Sequence, residues 1–170
     1  MNRTKILCVI ILIVIVFQMT HMKRDYEIMV NEYNKCVKKA STAYAELRTD
    51  ICNSLSGEKN DLNSLLRNYS NFIRALENWD STYRKLAEHG CLPKVIYENN
   101  DLTRSDISDM IFNSYMLTEH MVSWYISEDD SQDVAKTQIY TTIDDFGEKI
   151  EILNVELQPS LVHALKFYFG

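Results

Sequence analysis

Glycine and proline are scarce in this chain of 170 residues, with four and two copies respectively. Turn-forming residues are therefore too few for a β-sandwich or a β-barrel, whose many short strands need frequent turns. Hydrophobic residues make up 46% of the chain and charged residues 25%, a composition typical of a folded protein. The scarcity of both turn formers favours an all-α fold.

Recognisable catalytic and nucleotide-binding motifs are also missing. The sequence contains no GxSxG, GxxxxGK(S/T), GxGxxG or HExxH pattern. Its four histidines lie in separate segments, and the acidic pairs Asp129-Asp130 and Asp144-Asp145 are typical of helix caps. We therefore expect a protein that is not an enzyme and that uses no cofactor or metal.

Cysteine is sparse, and its spacing does not suggest a zinc site. Cys8 lies inside an apolar run, where a cysteine behaves as a small hydrophobic residue. Cys36, Cys52 and Cys91 remain, and no CxxC pair occurs. In an oxidising compartment this odd number would give one disulfide and one free thiol.

Basic residues are fewer than acidic residues, 18 against 24, so the net charge is −6. Arg3 and Lys5 are the only charges before residue 18, so removing their two positive charges leaves −8 for the rest. An acidic domain repels nucleic acid and attracts basic surfaces. We expect no nucleic-acid partner and a protein partner that is basic.

The longest uncharged apolar run is Ile6–Phe17, twelve residues without glycine or proline. A signal-peptide core has this length, whereas a bilayer span needs about 20 residues, or about 17 at the short end. Residues 18–22 extend the run to that short end, and no small-residue cleavage site comes after it. We predict an uncleaved signal-anchor over residues 1–22 and a single α-helical domain over residues 23–170, with secretion after cleavage as the alternative.

The flanking charges compete over the orientation of this anchor. Lys23, Arg24 and the lysines up to Lys39 outnumber the positive charges before the run, which by the positive-inside rule would place the domain in the cytoplasm. A short N-terminal signal-like segment, however, usually directs the translocation of the domain attached to it. We predict a single-pass membrane protein whose C-terminal domain is periplasmic or extracellular.

Four stripes of apolar residues at alternating four-three spacing predict four amphipathic helices. The first helix is expected over about 23–55 and ends at Ser56-Gly57, and the second ends near His89-Gly90. Their expected core positions are Tyr26, Val30, Tyr33, Val37, Ala40, Tyr44, Leu47, Ile51 and Leu55, then Leu62, Leu66, Tyr69, Ile73, Leu76, Trp79, Tyr83 and Leu86. The two helices should fold back as an antiparallel hairpin.

Two further stripes and a terminal segment complete the expected bundle. A capping box over 103–106 opens a third helix, and the acidic run Glu128-Asp129-Asp130 caps a fourth. The third stripe is Ile107, Met110, Ile111, Leu117, Met121 and Tyr125, and the fourth is Ile139, Ile143, Phe146, Ile150, Leu153 and Leu157. A short helix is expected over 160–169 after Pro159. The predicted architecture is an antiparallel hairpin or four-helix bundle with a short C-terminal helix.

Residues 32–91 contain short motifs in a recognisable order: Glu32-x-Asn34-x-Cys36, Ala43 to Leu47, then Trp79, Tyr83-Arg84 and Cys91. In this order the segment resembles the helical domain of LprI-type lysozyme inhibitors. The resemblance implies a disulfide between Cys36 and Cys91 and inhibition of a lysozyme as the activity. In this sequence Cys52 is extra, and residues 92–170 are not covered.

The simplest hairpin does not favour that disulfide. A turn at residues 56–57 would place Cys36 opposite about residue 77, and fourteen helical residues at ~1.5 Å each then separate the thiols by about 20 Å. A disulfide needs Cα atoms within about 7 Å. The pairing therefore requires a later turn, near residues 58–63.

Function is predicted from location and shape. We expect a membrane-anchored, non-enzymatic helical protein of the cell envelope that binds another protein; the alternatives are a lysozyme inhibitor-like protein and a phage-type structural protein that spans the envelope as a coiled coil. The aromatic seam positions belong either to the core or to a face left open for a partner. The candidate partner-binding residues are Trp79, Tyr83, Arg84, Glu128, Asp129 and Asp130.

Overall fold

Five α-helices account for almost all of the residues described by the computed structural model, which are residues 3–57, 62–91, 105–127 and 130–169. No strand occurs within these ranges. In chain order the helices are α1 (Arg3–Leu55), α2 (Leu62–Glu88), α3 (Ser105–Ile126), α4 (Asp130–Leu153) and α5 (Leu161–Phe169). The predicted all-α fold is confirmed.

The first helix, α1, joins the apolar run to the heptad-patterned segment without a break. It is 53 residues long and therefore about 80 Å in length. The sequence predicted a domain helix that starts near Lys23, whereas the helix already begins at Arg3. The reason is that no glycine or proline interrupts it between these two points. Among the described residues, α1 is the one helix apolar and long enough to cross a membrane, with a mean hydropathy of 2.2 over its best window.

The core of the domain begins at Tyr26 on α1. Eight of the nine predicted seam positions are buried, and Tyr44 is half-buried. The four-three pattern is therefore confirmed as the face that α1 turns toward the other helices. In contrast, no residue in the apolar window of α1 is buried, and the large apolar side chains from Ile6 to Phe17 are 39% to 69% exposed.

Helices α1 and α2 form the predicted antiparallel hairpin. Asn68 Nδ2 donates a hydrogen bond to Asp50 Oδ2 at 2.8 Å, and the rings of Tyr44 and Phe72 are 6.1 Å apart. Each helix ends where the sequence predicted, at a glycine with positive φ: Gly57 at +82° and Gly90 at +62°. Only glycine adopts this conformation without strain, which makes it the usual residue after a helix C-terminus.

The first half of α2 turns a different face to the core from the one that the sequence predicted. Leu62 and Leu66 are 66% and 57% exposed, whereas Leu65 and Phe72 are buried. Both sets of residues have helical spacing, so the pattern alone assigned the wrong face. From Leu76 onward the predicted positions are buried.

Helices α3 and α4 complete an up-down-up-down arrangement. The Tyr69 hydroxyl on α2 donates to the Ser114 carbonyl of α3 at 2.8 Å, and Tyr44 on α1 donates to the Ile143 carbonyl of α4 at 2.8 Å. The predicted fourth stripe is buried from Ile139 to Leu157, although α4 ends at Leu153 and Leu157 lies in the connection that follows it. Tyr125, which was predicted as a core position of α3, is instead 81% exposed.

The short helix α5 packs beside the start of the α1 core. Its N-terminus is capped by Ser160, whose Oγ accepts a hydrogen bond from the His163 N–H at 3.2 Å. The ring of Phe167 lies 5.9 Å from that of Tyr26. α5 thus lies at the end of the bundle where α1 leaves the domain toward its apolar segment.

Candidate docking face of the bundle

Two of the predicted partner-binding residues belong to the core. Trp79 is completely buried and Tyr83 is 4% exposed. Their aromatic side chains fill the α1–α2 interface, so they offer no contact area to a partner. The structure therefore assigns the aromatic seam of α2 to packing.

Arg84 is engaged within the bundle. Its guanidinium forms a salt bridge with Asp80 one turn earlier, at 2.6 Å, and lies 3.4 Å from the Ser108 hydroxyl of α3. The hydrogen bond to the Asp80 carboxylate raises the pKa of Arg84. Arg84 thus links α2 to the start of α3 across a half-exposed surface.

The acidic run falls at the edge of the described chain. Glu128 and Asp129 lie outside the described residues, and Asp130 is the first residue of α4. Their predicted contact with a basic partner stays a prediction.

The predicted disulfide between Cys36 and Cys91 is not formed, because all four cysteines are free. Cys36 Sγ lies 3.7 Å from the Thr82 hydroxyl, while Cys91 Sγ lies 3.3 Å from the carbonyl oxygens of both His89 and His163, which share its one S–H as acceptors. Thr82 is nine residues before Cys91, so the two thiols lie at different levels of the hairpin. Burial raises the pKa of the Cys91 thiol.

The side of α3 that faces away from the core carries an exposed apolar stripe. One face of the helix is buried through Ile107, Met110 and Leu117. On the other side, five large apolar residues are 37% to 71% exposed: Phe112, Tyr115, Met116, Val122 and Ile126. These five residues are called the outer stripe here. α3 is therefore apolar on two faces, of which the bundle buries one.

Glu119 lies in the middle of the outer stripe. It is exposed, and it continues the spacing of Phe112 and Ile126, seven residues from each. In heptad terms these three residues occupy one seam position and Tyr115 and Val122 the other. A single carboxylate thus interrupts an otherwise apolar seam.

A groove opens beside the outer stripe, at the end of the bundle farthest from the apolar segment of α1. Its volume is about 320 Å³, and it lies between the start of α2 and the end of α3. Leu62 and Leu66 form one wall, and Met121, Val122 and Tyr125 form the other. Val122 belongs to both features, so the groove and the outer stripe form one apolar surface, the docking face.

The docking face was not predicted from the sequence, although a signal was present. One apolar stripe was predicted for each helix, whereas α3 carries two. The positions Phe112, Tyr115, Glu119, Val122 and Ile126 have the same spacing as a core seam. A helix with two apolar stripes indicates either a fully buried helix or a helix with a second partner.

In the described ranges, no group of three or more His, Cys, Asp and Glu side chains is placed to hold a metal ion. No protein-family model, curated protein or solved structure matches this chain. The apolar segment of α1 and the docking face are therefore the two features of the described chain that bear most directly on function.

Proposed function

We propose that this chain is a single-pass, membrane-anchored, non-enzymatic protein of the cell envelope that binds another protein through its docking face. The outer stripe of α3 is the observation that carries the proposal. On an ordinary protein surface, exposed apolar residues are scattered singly, whereas here five large apolar side chains lie on one exposed helix face. Apolar patches of this kind mark interaction sites.

The anchor supports the same function, because α1 is continuous. Its apolar segment, Ile6–Phe17, has no packing partner in the bundle, while its second half supplies the core. One helix therefore connects the membrane to the domain without a linker. The distal end of α1, at Leu55, stands about 50 Å beyond Met22, so the groove is presented well away from the lipid.

The partner that fits the outer stripe is an amphipathic helix with a basic residue opposite Glu119. Apolar residues on that helix would cover the side chains on either side of Glu119, in the manner of a coiled-coil seam. A lysine or arginine at the central position would pair with the carboxylate, which would otherwise lose solvent without compensation. The net charge of −8 beyond Lys5 favours the approach of such a partner.

A second copy of the chain fits this stripe less well. Two copies in one membrane and one orientation are related by an axis along the membrane normal, so their α3 helices would pair in parallel. Equal positions then face each other, and Glu119 would oppose Glu119 across an apolar seam. Like charges at that position destabilise the pair, which favours a different chain as the occupant.

The domain is proposed to lie outside the cytoplasm, in the periplasm or the extracellular space. A short signal-like segment at the N-terminus directs export, against the positive charges on its C-terminal side. Alkaline phosphatase fused to the C-terminus of the full chain should be active, because this reporter folds outside the cytoplasm. An inactive fusion, with an active cytoplasmic reporter at the same position, would overturn the orientation.

Binding can be tested with two synthetic helical peptides and the full chain in lipid nanodiscs. Both peptides carry leucine at the seam positions, and they differ at the central position, which is lysine in one and glutamate in the other. Fluorescence anisotropy should show that the lysine peptide binds at least about tenfold more tightly. Glu119→Lys should reverse this preference.

Matched variants separate the stripe from the rest of the surface. Val122→Asp places a charge on the docking face at a position that is 52% exposed in the free protein, so it should abolish binding without unfolding. Gln138→Asp adds the same charge to the exposed side of α4 and should leave binding unchanged. Equal affinity for the two peptides, or binding that survives Val122→Asp, would contradict the proposed partner.

A further inference from the structure

The C-terminal end of α5 lies at the same height along α1 as the place where a membrane span would end. The Tyr168 hydroxyl donates a hydrogen bond to Asp25 Oδ2 at 2.7 Å. The ring of Tyr26 contacts both His163 and Phe167, with centroids 6.4 and 5.9 Å away. These contacts fix α5 against the first turns of α1 beyond its apolar segment.

Counting residues places this contact at the bilayer surface. A helix needs about 20 residues to cross a hydrocarbon core of about 30 Å. Counted from Ile6, the first residue of the apolar run, the twentieth residue is Asp25. The apolar run itself ends at Phe17, eight residues or about 12 Å earlier. Because the run is shorter than the hydrocarbon core, an anchor centred on it would bring the bundle end that carries Asp25 and Tyr168 to the headgroup layer.

The side chains at this end of α5 suit such a layer. Phe169 is 78% exposed and Tyr168 is 41% exposed, and Lys166 is also exposed. On α1 at the same end, Lys23 and Arg24 are exposed as well. Aromatic residues and long basic side chains are the groups that concentrate at membrane–water interfaces.

The acidic residues at this level are partnered, since Glu27 pairs with Lys23 and Asp25 has two partners. Its carboxylate accepts the hydrogen bond from Tyr168 and lies 3.0 Å from His21 Nδ1. These contacts satisfy a negative charge that would otherwise be costly near lipid. Asp25 is therefore compatible with a bundle end that touches the membrane.

We infer that the C-terminal end of α5 is a second membrane contact, with Tyr168 and Phe169 inserted in the lipid headgroup layer beside the α1 anchor. This inference rests on the proposed membrane anchor. With two contact points the bundle cannot pivot freely about α1, and the docking face is held at a fixed height and direction.

The test uses tryptophan as a depth probe in the full chain, reconstituted in phosphatidylcholine vesicles with or without brominated acyl chains. Bromine quenches an indole that reaches the acyl boundary. Phe169→Trp adds an indole at the proposed contact, and Tyr140→Trp adds one on α4, where the native side chain is 36% exposed. Subtracting the emission of the unmodified chain removes the contribution of Trp79 and Trp124.

Brominated lipid should quench about half or more of the emission added by Phe169→Trp and almost none of that added by Tyr140→Trp. Val162→Trp, at the opposite end of α5, should be quenched to an intermediate degree. Equal quenching of Phe169→Trp and Tyr140→Trp in vesicle-bound protein would overturn the second contact. Flotation of the same samples reports on the anchor independently, since failure to float with the vesicles would overturn the proposed function itself.

Discussion

Asn34 of α1 makes two hydrogen bonds with the backbone of Leu157. Its Nδ2 donates to the Leu157 carbonyl and its Oδ1 accepts from the Leu157 N–H, both at 2.9 Å. The partners are 123 residues apart in sequence. This pair fixes the connection between α4 and α5 to the side of α1, and so sets where α5 begins its course toward the anchor.

Replacing Asn34 should therefore loosen the end of the bundle that faces the membrane. Asn34→Ala leaves two backbone groups of Leu157 without these partners, and we expect the free energy of unfolding to fall by about 1–3 kcal/mol. Denaturation in detergent followed by circular dichroism would measure the loss. Asn154→Ala removes an exposed amide from the same connection and should change stability by less than about 0.5 kcal/mol; equal effects of the two variants would contradict the role of Asn34.

Gly147 is required by the position of Tyr44. A Cβ at residue 147 would overlap the Tyr44 hydroxyl, which is held by its hydrogen bond to the Ile143 carbonyl. Gly→Ala inside a helix normally gains about 1 kcal/mol, but here we expect Gly147→Ala to cost about 1–3 kcal/mol through overpacking. In a double-mutant cycle, Tyr44→Phe should recover part of that cost, and strictly additive effects would refute the predicted contact.

Tyr33 and Tyr44 lie on the same helix but differ in their hydrogen bonds. Within the described part of the chain, the buried hydroxyl of Tyr33 makes no well-formed hydrogen bond and has the Trp79 indole as a weak polar neighbour, whereas the hydroxyl of Tyr44 donates to the Ile143 carbonyl. Tyr33→Phe should therefore be neutral or stabilise the fold by up to about 1 kcal/mol, and Tyr44→Phe should cost about 1 kcal/mol. Chemical denaturation at neutral pH compares the two, and a larger loss from Tyr33→Phe than from Tyr44→Phe would contradict the assignment.

Alkaline pH gives a separate test of Tyr33. Burial raises its pKa from 10.0 to about 12. Above pH 10 the unfolded chain therefore loses this proton while the folded chain keeps it, so stability falls between pH 10 and about pH 12. Tyr33→Phe should reduce this alkaline loss; an unchanged pH profile would show that Tyr33 ionises as readily in the folded chain as in the unfolded one.

The four free thiols predict a simple alkylation pattern. Denatured under non-reducing conditions, the chain should gain four alkyl adducts by intact mass, since no cysteine pair is bridged. Among the three cysteines beyond the anchor of the folded chain, Cys91 should react most slowly, because it is buried and its raised pKa leaves less thiolate. Two adducts on the denatured chain would instead support the disulfide implied by the resemblance to lysozyme inhibitors.

Periodicity predicted the parts of the fold in which one face of a helix is apolar. The seam of α1 from Tyr26 to Leu55 and that of α4 from Ile139 to Leu153 each follow a single four-three pattern, so the buried face was unambiguous. Glycines 57 and 90 likewise marked the ends of α1 and α2, because both adopt positive φ.

The same reasoning failed where a helix offers two apolar faces. At the start of α2, Leu62 and Leu66 compete with Leu65 for the core, and tertiary packing selects Leu65. On α3, the stripe through Phe112 and Val122 looks like a core seam in sequence and is left exposed by the bundle. Trp79 and Tyr83 show the converse, since residues typical of binding sites are used here to fill the interior.

The most direct test of the account is extraction of membranes with alkaline carbonate, which releases peripheral proteins and retains those that span the bilayer. The full chain should stay in the membrane pellet, and Ile10→Lys with Ile13→Lys should move it to the supernatant, because each central charge costs about 2.5–3.5 kcal/mol. Val134→Lys, at a site on α4 that is 58% exposed, should stay in the pellet. Release of the unmodified chain by carbonate would contradict the membrane anchor on which the proposed function depends.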